Sequence, residues 1–118
     1  MTGILEINGT PFGELSATRQ DDWARGSAER SRQLGIHDDA EGITHHVEMK
    51  AVIVMITSGA TRARVIINHA PCGSEPGLAG GCHRLLPWFI PRGSSLTVLG
   101  TDAQGEPFQR IYEGRAAQ

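Results

Sequence analysis

The sequence predicts an α/β (α+β) layered sandwich, in which a mixed β-sheet is flanked by helices. Two observations along the 118 residues support this class. Short β-branched runs alternate with stretches whose apolar residues recur at helical spacing, and Gly, Pro and Asn separate them. The predicted order of elements is β, α, α, β, α, β, β, which is typical of layered sheets.

The size of the chain predicts one domain over residues 1–118 with a single hydrophobic core. Its longest apolar run, residues 51–56, is far shorter than the roughly 20 residues that span a bilayer, so no membrane role is expected. The first six residues lack the basic and apolar regions of a signal peptide, although a domain cut from a larger secreted protein would also lack them. The localisation is therefore left open.

The first third of the chain predicts one strand and one helix. Residues 4–7 form the strand, and Asn8-Gly9 is the turn that ends it. Residues 21–34 form an amphipathic helix, because acidic residues open it and Gly35 follows its end. The polar, acidic residues 35–42 then form a solvated loop.

A second helix is predicted from Thr44 to Gly59, because apolar residues fall at helical spacing and Gly59 is a natural stop. This places His46 and Glu48 on the first turn. Residues two apart point about 200° apart around a helix, so these side chains can meet only in a pocket beyond its leading end. The partial positive charge of that end favours a bound hydroxide or another anion.

The second half of the chain is predicted to complete the sheet. The run Val65-Ile66-Ile67 is continuous and β-branched, as in a strand covered on both faces. A third helix begins at Cys82, and Pro87 cuts it short or kinks it. Two further strands lie at residues 95–99 and 108–113.

A His, a Glu and two Cys supply the parts of a hydrolytic metal site. His46-Val47-Glu48 is followed by Pro71-Cys72 and then by Cys82, in the order found in zinc-dependent deaminases. His46, Cys72 and Cys82 are the expected ligands of Zn²⁺, with the fourth tetrahedral position left for water. Zn²⁺ lowers the pKa of that water, and Glu48 is expected to be the catalytic residue that moves protons to the ring nitrogen and the leaving amine.

Other uses of these residues remain open. Two Cys also allow a disulfide or two unrelated thiols, but the Pro before Cys72, the upstream His-x-Glu and the low Cys fraction favour a metal pair. His45, His69 and His83 each lie beside a motif residue, and His45 would give His-x-x-Glu, which departs from the deaminase pattern. One of them as a fourth ligand would instead close a structural zinc site.

Asn68, His69 and Trp88 are the expected substrate contacts. Asn68 and His69 lie between a strand end and Cys72, where side chains can meet a base or a sugar, although Asn is equally a turn former. Trp88 and Phe89 follow Cys82 and offer a stacking surface for a base, and core packing is the alternative for at least one of them.

The charge distribution bears on the substrate. The net charge is −2, yet residues 1–48 carry four Arg and nine Asp or Glu, whereas residues 49–118 carry seven Arg or Lys and four Asp or Glu. Ten of the eleven cations are Arg, which suits bidentate phosphate contacts and stacking on bases. Ordinary surface solubility explains the same excess equally well.

Three segments carry a family resemblance: HHVEMKAVIVM (45–55), RVIINHAPC (64–72) and CHRLLPWFIPRGSSLTVLG (82–100). They resemble the bacterial toxin-type (DddA-like) cytosine deaminases of the zinc-dependent deaminase superfamily, over residues 44–115. The resemblance implies a cytidine-deaminase-like mixed sheet flanked by helices, with zinc between the first turns of two of them. It also implies conversion of cytosine to uracil in DNA.

The same resemblance implies a biological setting. Such domains are the C-terminal ends of larger secreted bacterial toxins, act in the cytoplasm of a target cell and are neutralised by a cognate immunity protein. The cysteine spacing departs from the common Pro-Cys-x-x-Cys pattern, because nine residues, 73–81, separate Cys72 from Cys82. A longer loop still allows both thiolates to reach one metal, and such a loop is alternatively a feature that shapes substrate entry.

We therefore expect zinc-dependent deamination of cytosine in DNA. Single-stranded DNA is favoured over double-stranded DNA, because the sequence offers few wedge residues for opening a duplex. The alternatives are a double-stranded DNA deaminase, an RNA or free-nucleoside deaminase, and a structural zinc-binding interaction domain. Discrimination between the bases beside the target depends on loop shape, which the sequence does not specify.

Overall fold

The computed structural model describes residues 2–16, 18, 21–36, 44, 46–67, 81–101 and 105–116. Within these ranges the chain forms five strands and three helices, the α+β class that the sequence predicted. In chain order they are β1 (Thr2–Ile7), β2 (Thr10–Ser16), α1 (Asp22–Gln33), α2 (Val47–Thr57), β3 (Arg62–Ile67), α3 (Gly81–Phe89), β4 (Ser95–Thr101) and β5 (Pro107–Glu113).

The five strands form one mixed sheet in the order β2-β1-β3-β4-β5. Strands β3 and β4 are parallel, and the other neighbouring pairs are antiparallel. A parallel pair needs a crossover connection, which here contains α3. The sheet therefore combines two antiparallel ends with one central β-α-β unit.

Strand β2 was absent from the predicted order. Asn8 and Gly9 have φ of 50° and 82°, the left-handed conformation that a two-residue hairpin turn requires, and the chain returns along β1. The sequence of β2 hides this strand, because Pro11 and Gly13 interrupt it and its first five residues are exposed. With one buried apolar residue, Leu15, it shows no clear alternation.

The described helices lie against one face of the sheet. Leu5, Val65 and Val98 are fully buried in a core shared with α2 and α3. On the other face, Ile4, Ile66 and Ile111 are 56%, 43% and 59% exposed. The prediction that β3 is covered on both faces is therefore wrong: a continuous β-branched run does not reveal on which side the helices pack.

The predicted helix ends agree with the structure where a cap marks them. Asp21 caps α1, and the carboxylate Oδ1 accepts the Ala24 N–H at 2.8 Å. Gly35 and Gly59 follow α1 and α2 with φ of 74° and 72°. Helix α3 continues through Pro87 to Phe89. None of the described helices is long and apolar enough to cross a membrane.

Helices α2 and α3 both begin at the edge of the sheet where β3 ends, which we call the upper edge. Each helix turns through a short connection into β3 or β4 and so runs opposite to that strand, and these two strands are parallel. A β-carbon added to Gly3 would lie 2.6 Å from Val47, the first residue of α2, and 3.1 Å from Ile67, the last residue of β3. The start of α2 thus lies directly over the end of β3.

Strand β2 also ends at the upper edge, because Ser16 pairs with Thr2 beside the Gly3–Ile67 pair. Helix α1 begins six residues later, at Asp22. The leading ends of all three described helices are therefore directed to one side of the molecule. Each contributes a partial positive charge there.

Candidate active site

His46 and Glu48 lie at the start of α2, on the upper edge. His46 precedes the helix, with extended backbone (φ −68°, ψ 149°), and its carbonyl accepts the first helical hydrogen bond from the Lys50 N–H at 3.0 Å. Helix α2 begins at Val47, three residues later than predicted. His46 therefore lies outside α2, so the separation of about 200° expected for two residues within one helix does not apply to His46 and Glu48.

Glu48 is fully buried, although it lies in the first turn of a helix. Its sequence neighbours Val47 and Met49 are equally buried, so the whole first turn of α2 is shielded from solvent. His46 is half-buried. Glutamate is rarely fully buried unless it is paired or has a function. The start of α2 thus combines the buried carboxylate of Glu48 with the partly exposed imidazole of His46.

Cys82 is the second residue of α3, and its backbone is therefore at the upper edge. Its side chain, like that of His83, lies outside the described residues, as do Cys72, Asn68, His69 and His45. Ile67 and Gly81, which flank residues 68–80, both lie at the upper edge. The described elements thus bring His46, Glu48 and the backbone of Cys82 to one edge, and the predictions for Cys72, Asn68 and His69 remain predictions.

Trp88 lies near the other end of α3 from Cys82. Six residues at a rise of about 1.5 Å separate them by about 9 Å along the helix axis. Trp88 is 51% exposed, and the Arg115 guanidinium lies 5.7 Å from its ring centroid. Phe89 is fully buried, so this member of the aromatic pair is core. Trp88 remains a predicted substrate contact, at a position away from the reacting centre.

The described residues contain no group of three His, Cys, Asp or Glu side chains close enough to hold a metal ion. Of the three predicted zinc ligands, only His46 has its side chain within the described residues.

Lys50, one turn after His46, is a buried residue that the sequence reasoning missed. Its ammonium Nζ donates hydrogen bonds to the Ser16 carbonyl at 2.6 Å, to the Thr18 carbonyl at 2.8 Å and to Asp21 Oδ2 at 2.7 Å. Lys50 is the one lysine of the chain. A single cation within the apolar run of α2 was the available signal, since a lysine there must find partners or reach solvent.

Asp21 joins Lys50 to the start of α1. Burial alone raises the pKa of Asp21, but hydrogen bonds from Lys50, Ala24 and Thr18, together with the Lys50 charge, lower it by more. The pKa of Asp21 therefore lies below its usual value, which keeps the carboxylate ionised opposite the buried ammonium. Ser16, Thr18 and Asp21 are thus held against the first turn of α2.

A mixed sheet with a His and a buried Glu at the start of one helix, and a Cys at the start of the next, is the framework of a deaminase-like α+β domain. The family model described as SCP1.201-like deaminase matches residues 5–116, and the chain belongs to this family. The match confirms the predicted membership of the deaminase superfamily, whose reaction is hydrolysis of a C–N bond. Comparison with curated proteins gives no match.

Proposed function

We propose that this deaminase domain converts cytosine in DNA to uracil, with a zinc ion held by His46, Cys72 and Cys82. The observation that carries the proposal is the fully buried Glu48, two residues after His46 and at the edge where α3 begins with Cys82. An imidazole and two thiolates suit zinc and leave one tetrahedral position open. When bound, zinc would supply the Lewis acidity that activates a water molecule.

The role proposed for Glu48 is proton transfer. Its carboxylate accepts a proton from the attacking water, delivers one to the ring nitrogen of cytosine and then assists departure of the amine, so that cytosine and water yield uracil and ammonia. Burial in the core separates Glu48 from bulk solvent, which keeps this proton within the site. The positive leading end of α2 favours the anionic forms that arise beside it.

An exposed tryptophan and several exposed arginines, distant from Glu48, support a polynucleotide as the substrate. Trp88 lies about 9 Å beyond Cys82 along α3 and is half-exposed beside Arg115, so a base or phosphate bound there belongs to a different nucleotide from the reacting one. The described arginines that follow Glu48 in the chain are exposed on the surface. They are Arg62, Arg64, Arg92, Arg110 and Arg115.

Single-stranded DNA is the proposed form, because its bases need no extraction from a duplex. Asn68 and His69 are the proposed contacts to the reacting nucleotide. The resemblance to DddA-like enzymes further supports a role as the toxic end of a secreted bacterial protein that acts in the target-cell cytoplasm. A cognate immunity protein is the proposed protein partner.

The test is uracil formation in matched single-stranded and double-stranded oligonucleotides by the zinc-loaded protein. Glu48→Gln is expected to reduce activity about 10²- to 10⁴-fold, the usual contribution of a general acid–base group, without loss of zinc. Glu113→Gln is the matched control, because Glu113 is exposed at the far end of β5 from the upper edge. It is expected to keep full activity.

The outcomes separate the parts of the proposal. Loss of uracil formation in Glu48→Gln but not in Glu113→Gln supports the catalytic role of Glu48. The oligonucleotide that is deaminated faster identifies the preferred form of DNA. Full activity of Glu48→Gln overturns its catalytic role. No uracil from either DNA overturns the DNA substrate, and RNA and cytidine are then tested with the same two variants.

A further inference from the structure

The buried ammonium of Lys50 connects two parts of the upper edge that are distant in sequence. Its side chain binds Ser16, Thr18 and Asp21, which lie 34, 32 and 29 residues earlier in the chain. Its own backbone N–H donates to the carbonyl of His46. Lys50 therefore binds the end of β2 and two residues that follow it with its side chain, and the residue before α2 with its main chain.

Burying this ammonium is costly. A lysine side chain loses rotamer entropy on burial, apart from the loss of hydration. Replacement of a buried ion pair by apolar residues of similar volume is often neutral or stabilising. The Lys50 side chain is fully buried and that of Asp21 is 34% exposed, and such a pair is weak evidence of a role in stability alone. Its hydrogen bonds do fix the relative positions of the residues that they join.

Glu48 lies in the chain between His46 and Lys50, which the backbone hydrogen bond joins. The first turn of α2 contains Glu48 and Lys50, two residues apart, and the carbonyl of His46 is the acceptor for Lys50 N–H. The carbonyls of Ser16 and Thr18 accept from the ammonium directly, so an apolar side chain at position 50 would remove their described partner. Movement of Ser16, Thr18 and Asp21 is thus coupled to movement of this turn through Lys50.

We infer that Lys50 is a positioning residue for deamination: it fixes Ser16, Thr18 and Asp21 against the first turn of α2. In this way Lys50 holds Glu48 in its reactive position. This inference rests on the function proposed above. It assigns no contact between Lys50 and the substrate. Its effect is expected on the chemical step, since a displacement of about 1 Å in a catalytic group costs about 10²-fold in rate.

The test compares Lys50→Met and Asp21→Asn with Val54→Ala. Val54 is fully buried one turn further along α2 and has no polar side-chain atom with which to bind Ser16, Thr18 or Asp21, so Val54→Ala is the control for loss of stability in the same helix. Lys50→Met is expected to lower kcat about 10²-fold with little change in KM or zinc content. Asp21→Asn keeps an acceptor for Ala24 and is expected to lower kcat by less.

All variants are assayed below their unfolding transitions, and hydrogen exchange of residues 16–21 and 46–50 is measured in parallel. Exchange is expected to rise in both segments of Lys50→Met and Asp21→Asn, but not in Val54→Ala. A kcat for the two variants no lower than that of Val54→Ala overturns the inference. Should Lys50→Met fail to fold, the same criterion applies to Asp21→Asn.

Failure of the proposed function is distinguishable from failure of this inference. The former appears as absence of uracil formation by the unaltered protein. In that case hydrogen exchange alone tests whether Lys50 couples the two segments. Faster exchange in both segments of the variants supports the coupling, and equal exchange in the variants and the control overturns it.

Discussion

Gly3 of β1 lies directly beneath Val47, the first residue of α2. A β-carbon at Gly3 would stand 2.6 Å from Val47 Cγ1, a distance that real β-carbons do not sustain without movement. It would also stand 3.0 Å from Val65 Cγ2, which is a tight contact. Because Gly3 has no side chain, the turn that contains Glu48 can approach the sheet at this point.

Gly3→Ala is expected to destabilise the protein by about 1–3 kcal/mol, the usual cost of overpacking, and to lower activity by displacing the start of α2. Urea denaturation and uracil formation measure the two effects. Val47→Ala removes the contacting methyl groups, so Gly3→Ala should cost less in a Val47→Ala background than alone. Strict additivity of the two substitutions would show that this contact does not control the position of α2.

Zinc content is expected to depend on His46, Cys72 and Cys82. Replacing any of the three by Ala removes one of three protein ligands, so the purified variants should contain less zinc than the unaltered protein by elemental analysis. His83→Ala is the control, since His83 adjoins Cys82 without belonging to the proposed ligand set. Chelation should abolish activity, and added zinc should restore it.

A disulfide or a closed structural zinc site would give different results. A disulfide between Cys72 and Cys82 would leave no titratable thiols in the denatured, unreduced protein. A closed site would lose zinc when one of His45, His69 or His83 is replaced, and would keep its function in Glu48→Gln.

The Asp21 carboxylate is expected to make stability depend on pH in the acidic range. Its pKa in the folded protein is lowered, so its contribution is present above the unfolded-state pKa of about 3.9 and is lost as pH falls through the folded-state value. The difference in unfolding free energy between the unaltered protein and Asp21→Asn should therefore shrink as pH falls below about 4.

Urea denaturation at a series of pH values from neutral to acidic measures this difference. Asp22→Asn is the matched control, because Asp22 is exposed and pairs with Arg25 on the surface of α1. Its effect on stability is expected to be small. A difference for Asp21→Asn that stays constant across the acidic range would contradict the role of the ionised carboxylate.

Trp88→Ala is expected to weaken binding of long substrates selectively. Loss of one stacked base costs about 1–3 kcal/mol, so KM for oligonucleotides that extend past the reacting base should rise by about tenfold or more, whereas deamination of the shortest substrates should change little. Phe12→Ala, which removes an exposed aromatic side chain from β2, is the control. An equal effect on short and long substrates would place Trp88 in structural packing instead.

Several features were predictable because their causes are local in sequence. The capping of α1 by Asp21 depends on a residue three positions from its partner, Ala24. The glycines that follow α1 and α2 act through their own backbone conformation. The order of His46, Glu48, Cys72 and Cys82 likewise indicated a deaminase, the class that the family match bears out, because that prediction depends on residue types and their order.

Other features depend on pairing between distant residues. Strand β2 is specified by its pairing with β1 rather than by its own composition. The exposure of Ile66 follows from all described helices packing on one face, which a β-branched run cannot reveal. The start of α2 at Val47 lacks a strong local cap, and its approach to the sheet is permitted by Gly3.

The sequence by itself determined the class of fold, the deaminase motif and most helix ends, because these depend on propensity, capping and residue chemistry over a few positions. Only the tertiary structure decided that the starts of α1, α2 and α3 share one edge, and that Lys50 binds residues 16–21 there. The physical reason is that these relationships are set by strand direction and by contacts across about thirty residues. A local pattern shows that a buried lysine needs partners, but not which distant residues supply them.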